Sequence, residues 1–233
     1  MPKVSVNGLQ LYYEVEGDGE PVVLIPGFAS GRLIWSRQVS DLSRKFRVIT
    51  FDPRGICASD KPEGPQSINL LADDLAHLLQ ALGMAGAHIV GVSFGGFVAQ
   101  EFALTYPSMT RKLVLCCTSF GGPNHVMAEP ETITTFAQGL NREEVPEHIY
   151  LSQFEAAVNF NVESRVGEIA SPTLVVSGDA DVIVPVQNSR NLAARIPGAT
   201  LRIIEGGSHT FFIERAEEFN QLVTEFLKPQ KST

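Results

Sequence analysis

The serine between two glycines in Gly91-Val92-Ser93-Phe94-Gly95 is the residue best placed for chemistry in this chain. A serine hydroxyl is a poor nucleophile at neutral pH. It needs a base to take its proton, and the base needs an acid to orient it. Ahead of the pentapeptide, Ala87-His88-Ile89-Val90 reads as a buried strand. Behind it, Gly96-Phe97-Val98-Ala99-Gln100-Glu101-Phe102-Ala103-Leu104 reads as a helix stopped by Tyr106-Pro107. Strand, Gly-x-Ser-x-Gly and helix form a nucleophile elbow. The turn is tight enough to strain the Ser93 backbone, and side chains at Gly91 and Gly95 would collide with the neighbouring strand or helix. The residue after the serine opens a helix, whose free N–H groups suit a developing oxyanion.

In open parallel sheets, functional groups gather at the carboxyl ends of strands. Of the five histidines, His77 lies inside a predicted helix and His88 opens a strand. His125 and His148 fall where strand–helix alternation lapses. Only His209 follows a late strand, in Gly206-Gly207-Ser208-His209, which makes it the expected base. For the acid, Asp179 and Asp181 both follow the strand ending at Ser177. Residues two apart here do not point the same way, so one serves His209 and the other makes local turn or cap hydrogen bonds.

The elements needed to position these groups are legible. Residues 4–15 read as a hairpin turning at Asn7-Gly8. Pro21-Val22-Val23-Leu24-Ile25 is a continuous apolar run, as in a parallel strand covered on both faces. A helix around 33–42, a strand over 46–51 and a helix capped by Ser67 and stopped by Gly83 follow. After the elbow comes the strand 112–117. From 118 to about 171 the alternation gives way to Pro123, Pro130, Pro146 and polar helices near 131–140 and 146–157. It resumes with a strand over 173–177, a helix near 186–196, a strand over 200–204 and a helix from about 215 to 227. The expectation is an α/β fold with a mostly parallel sheet and helices on both faces. Residues from Pro229 read as a disordered tail.

The 233 residues are 44% hydrophobic and 19% charged, with net charge −8. That length suits one domain with a modest insertion. No basic stripe appears, so nucleic acid and anionic membrane are poor partners. No apolar run reaches the length of a membrane span or of a signal-peptide core. The three cysteines, two of them adjacent (Cys116 and Cys117), read as buried thiols in a cytoplasmic protein rather than a disulfide framework.

With these motifs in place, the chain resembles the α/β-hydrolases, in particular their esterase, lactonase and cofactor-free haloperoxidase-like group, over nearly its whole length. The resemblance implies an eight-stranded sheet, with a core of 1–117 and 172–233 and a small helical cap at 118–171. The family's Gly-x-x-Asp-x-x-x-Pro pattern selects Asp181, four residues before Pro185, over Asp179. The family order of serine, acid and histidine matches Ser93, Asp181, His209. By analogy the main-chain N–H groups of Phe28 and Phe94 form the oxyanion hole, although Pro26-Gly27-Phe28 stands where the family has His-Gly-x. Ser208 replaces the second glycine of the family's histidine loop, and Cys57 occupies a glycine position in Asp52-Pro53-Arg54-Gly55-Ile56-Cys57-Ala58-Ser59. If that position needs positive φ, the loop is strained or rearranged.

The activity implied is hydrolysis of a small carboxylic ester through an acyl-enzyme, with neither cofactor nor metal. A serine at the elbow argues against the branches that attack with a carboxylate, the epoxide hydrolases and haloalkane dehalogenases. A 3-oxoadipate enol-lactonase is the alternative, but it must hold an anionic substrate, and the insertion offers only Arg142 and Arg165. Perhydrolysis uses the same three residues. A receptor-like relative is a third class, disfavoured by the short cap. That short cap predicts an open, unselective site taking short acyl esters and bulky alcohols. In the competing picture Phe136, Tyr150, Phe154 and Phe160 seal a small pocket.

Overall fold

A computed structural model describes residues 2–139 and 145–228. Arg142 and the tail from Pro229 lie outside the described residues. The hairpin forms between β1 (Lys3–Val6) and β2 (Leu9–Glu16), and its turn residues take the positive φ that Asn-Gly permits, 48° at Asn7 and 77° at Gly8. The strands β3 (Glu20–Ile25), β4 (Phe46–Phe51), β5 (Ala87–Val92), β6 (Thr110–Cys116), β7 (Thr173–Gly178) and β8 (Thr200–Ile204) follow. They join one eight-stranded sheet in the order β1-β2-β4-β3-β5-β6-β7-β8. Pairing is antiparallel from β1 to β4 and parallel from β4 to β8.

Alternate strand residues feed two separate cores, which is why the parallel strands read as unbroken apolar runs. Val23, Ile49, Ile89, Leu113 and Val175 face one side, under α2 (Ile68–Ala81), α3 (Phe94–Thr105) and α6 (Gln187–Arg195). Val22, Val48, Val90, Val114 and Leu174 face the other, under α1 (Ser36–Leu42), the short α7 (Phe211–Glu214) and α8 (Ala216–Leu227). The Ser67 hydroxyl caps α2 by accepting the Leu70 N–H at 3.1 Å. Instead of one helix over 33–42, a 3-10 turn at Arg32–Trp35 precedes α1. A side chain at Gly31 would strike the Asp52 carboxylate and the Cys57 thiol, and Trp35 is fully buried.

Between β6 and β7 run α4 (Pro130–Gly139) and α5 (Glu147–Val158). The two ends of this segment are fastened together. Gly121 bridges Asn161, the Gly122 N–H donates to the Phe160 carbonyl, and the Val162 N–H donates to that of Phe120. Past that clasp, Phe160, Val162, Val166 and Ile169 bury themselves in the main core. The helical excursion is therefore shorter than the 118–171 span in which alternation lapses.

Candidate active site

Strand order reverses at the crevice between β3 and β5, and ligands of open α/β sheets bind outside the strand ends at such a point. Ser93 stands there, between β5 and α3, with φ 53° and ψ −119°. A non-glycine residue in that region costs on the order of 1–3 kcal/mol. The cost is sustained by hydrogen bonds on both sides of the turn. The Ser93 N–H donates to the Cys116 carbonyl at 2.8 Å, and its carbonyl accepts the Gly96 N–H and the Thr118 hydroxyl, each at 2.8 Å. A Cβ at Gly91 would strike the Gly95 carbonyl, and one at Gly95 would strike the carbonyls of Ile25 and Pro26. Helix α3 is thereby pulled close against β3 and β5.

His209 follows β8 and is 8% exposed. Its Nδ1 lies 2.9 Å from Oδ2 of Asp181, which is 5% exposed. The other carboxylate oxygen of Asp181 accepts the N–H groups of Ile183 at 2.9 Å and Val184 at 2.8 Å. Asp179 is exposed and turns away, accepting the Gly206 N–H at 2.6 Å. Gly178 lets the two loops meet, because any side chain there would overlap the backbone of Gly207.

Ser93 and His209 line one cavity of about 360 Å³, with apolar walls of Phe28, Ile34, Val92, Phe136, Phe212 and Ile213. Neither Phe28 nor Phe94 donates its main-chain N–H to another described group, and Phe94 opens α3, where the helix dipole favours negative charge. The two rings meet edge-on, 5.9 Å apart. A second hollow of about 610 Å³ shares Phe136, His209 and Thr210 with the first, but its other walls include Glu131, Thr135, Ser208 and Glu214. Phe136 of α4 sets its edge against the His209 ring at 5.4 Å.

The remaining sequence candidates lie elsewhere. Arg165 pairs with Glu101 of α3 at 3.2 Å and does not line the Ser93 cavity. Phe160 stacks on Phe97 at 4.4 Å, Tyr150 packs on Phe28 at 4.9 Å, and Phe154 is 49% exposed. Cys57 has φ 41°, so the loop after β4 is strained where the family carries glycine. Two oxygens of the buried Asp52 hold that loop by accepting from the main chain of Arg32 and Ala58 and from the Arg32 guanidinium.

Of the aromatics expected to wall the pocket, Phe136 lines it, but neither its contact with His209 nor the place of Cys117 beside the histidine–carboxylate pair has a sequence signal. The thiol of Cys117, the imidazole of His209 and the carboxylate of Asp181 place donor atoms within 4.8 Å of one another. Burial pushes the Cys117 thiol well above its usual range, helped by Cys116 and by the charge of Asp181. A metal would need that thiol ionised. It would also compete with the His209 and main-chain contacts already occupying both Asp181 oxygens. The set fits a neutral thiol packed under a histidine–carboxylate pair better than a metal centre.

A strained serine at a helix N-terminus, facing a cavity it shares with a carboxylate-bound histidine, together with this sheet, defines an α/β-hydrolase, and the chain belongs to that family. The family model for the alpha/beta hydrolase fold matches residues 20–142, and a second hydrolase model, serine aminopeptidase S33, matches 148–216. A poly(3-hydroxyalkanoate) depolymerase of Ectopseudomonas oleovorans is 30% identical, with 91% of this chain and 85% of that protein aligned. A protein of Azorhizobium caulinodans, provisionally named as the carbamate hydrolase RutD, is 28% identical over 259 positions, covering 97% of this chain and 98% of the relative. The enol-lactonase of Burkholderia xenovorans LB400 superposes with a TM-score of 0.85 at 27% identity, covering 97% and 99% of the two chains. Among the described residues, no helix is long and apolar enough to cross a membrane.

Proposed function

We propose that this hydrolase cleaves carboxylic esters through an acyl-enzyme on Ser93. The observation that carries the reading is that Ser93 and His209 face one apolar cavity while Asp181 holds the far side of the imidazole at 2.9 Å. In this reading Ser93 Oγ attacks the ester carbonyl and His209 Nε2 takes the serine proton. Asp181 fixes the tautomer with the proton on Nδ1 and stabilises the imidazolium. The oxyanion receives the N–H groups of Phe28 and Phe94. Collapse of the tetrahedral adduct expels the alcohol, protonated by His209. Water, activated by the same base, then releases the acid and restores Ser93.

Neutral esters suit the cavity better than the anionic substrate of a 3-oxoadipate enol-lactonase, because no lysine or arginine is among the described residues that line it. Neutral lactones, being cyclic esters, remain within the same chemistry, as does perhydrolysis. The cysteines at 57, 116 and 117 form no disulfide among the described residues, which fits a cytoplasmic setting. The deciding experiment pairs a fluorophosphonate label with turnover of aryl esters. Labelling at Ser93, with turnover abolished in a folded Ser93→Ala, is the expected result. Turnover surviving in that variant, or a folded wild type that neither labels nor turns over, would sink the assignment.

A further inference from the structure

Ala29, the residue after the proposed donor Phe28, has φ 49°. An L side chain enters that region at a cost of roughly 1–2 kcal/mol. The peptide joining Phe28 to Ala29 is gripped at both ends. Its N–H donates to Oε1 of Gln153 at 3.0 Å in buried surroundings, and its carbonyl accepts the Ser30 hydroxyl at 3.0 Å. Gln153 is 2% exposed, although it comes from α5 of the insertion, 124 residues further along the chain. One turn earlier on the same helix, Tyr150 sets its ring edge-on to Phe28. On the near side of Phe28 stands Gly27, whose backbone is permissive. The aim of the Phe28 N–H therefore depends on what grips the loop after it.

Gln153 does not line the Ser93 cavity. It lines a small hollow behind the loop, with Pro26, Gly27 and Phe94. We infer that Gln153 is a positioning residue: by accepting the Ala29 N–H it holds the Phe28 N–H on the oxyanion, so that α5 contributes to transition-state stabilisation without touching substrate. This rests on the ester-hydrolase reading above. Its signature is a loss in kcat with KM unchanged, because the oxyanion exists only in the transition state.

The test uses the full chain and Gln153→Met, which keeps the side-chain length and removes the acceptor. Deleting an oxyanion donor costs about 10²–10³ in kcat. A donor that is misaimed rather than deleted should cost less, about ten- to a hundredfold on p-nitrophenyl butyrate, with KM within about twofold. Affinity for a butyl boronic acid, which forms a tetrahedral adduct on serine, should fall by the same factor, while butyramide binds as before. Amide hydrogen exchange over residues 26–31 should accelerate. If Gln153→Met does not fold, Ser30→Ala opens the other end of the grip; because Ser30 itself lines the cavity, the readout is boronate affinity falling more than butyramide affinity. A folded variant with wild-type kcat overturns the inference, as does equal weakening of boronate and butyramide, which marks a general loosening of the cap. Failure of the ester-hydrolase reading shows itself differently, as a wild type without Ser93-dependent turnover. Exchange at 26–31 then still decides whether Gln153 grips the loop.

Discussion

Oδ2 of Asp181 meets Nδ1 of His209 at 2.9 Å, while Asp179, two residues earlier, spends its carboxylate on the Gly206 N–H. The two aspartates therefore differ in what they hold. Asp181→Asn presents an amide to Nδ1 and favours the tautomer with the proton on the wrong nitrogen. That change costs on the order of 10⁴ in kcat in a serine–histidine–aspartate triad. Asp179→Asn keeps a carbonyl oxygen for Gly206 and should leave kcat within a few-fold of wild type. Both variants go into one aryl-ester assay, and a larger loss at Asp179 would reverse the roles.

The motifs name Ser93, Asp181 and His209 without the structure, and the fold leaves these positions few alternatives. Gly91 and Gly95 are required by backbone contact, and a parallel sheet brings the ends of β5, β7 and β8 to the same edge. What the motifs do not carry is how α4 and α5 sit against the site. In α5, Ile149, Gln153 and Ala156 share the buried face, so a polar residue on an apolar stripe was the available signal for Gln153. Its partner, 124 residues away, has no local trace. Phe136 touches His209 through the placement of α4 over the sheet, and no periodicity encodes that. The choice between the aspartates came from a family pattern, since spacing alone left both open.

The strain at Cys57 can be isolated by comparing two small residues. With φ 41°, glycine should relax the loop where alanine cannot, while both lose the thiol's contacts equally. Cys57→Gly should therefore be more stable than Cys57→Ala by about 1 kcal/mol. Urea midpoints at equal m-value measure the difference. Equal midpoints would mean that the surrounding loop relaxes around alanine.

His88 sets an acid limit on stability. It is buried at the start of β5, its Nδ1 has no hydrogen-bond partner and its Nε2 lies 3.2 Å from Glu20. Burial lowers its pKa below the ordinary 6.5; Glu20 opposes the shift, and Lys112 and Arg111 add to it. Because the unfolded chain takes up this proton first, stability is full above pH 6.5 and falls as the pH drops through the folded pKa. His125, lowered by burial, acts in the same direction. His88→Gln should lose less stability between pH 7.5 and pH 5 than wild type, whatever its stability at the higher pH. An identical loss in both proteins would assign the acid sensitivity elsewhere.

Substrate preference should follow the unlike walls around His209. The serine side is apolar, with Phe28, Ile34, Phe212 and Ile213, so an aliphatic or aromatic acyl group gains from burial there and a carboxylate would lose hydration without a partner. The hollow that shares Phe136 and His209 with it carries the hydroxyls of Thr135 and Ser208 and the carboxylates of Glu131 and Glu214, and the prediction is that the alcohol half of the ester occupies it. Two carboxylates there repel an anionic alcohol and accept a neutral or cationic one. At fixed butyryl group, kcat/KM should therefore run cationic alcohol above neutral above carboxylated. The spread should be several-fold at low salt and shrink at high salt, because the groups are exposed and screened. Lengthening the acyl chain from acetyl to butyryl should raise kcat/KM, each buried methylene being worth about 0.8 kcal/mol at most. Glu131→Gln with Glu214→Gln should compress the charge series while leaving the acyl series unchanged. A preference for the carboxylated alcohol, or a charge series untouched by the double variant, would show that the alcohol leaves by another path.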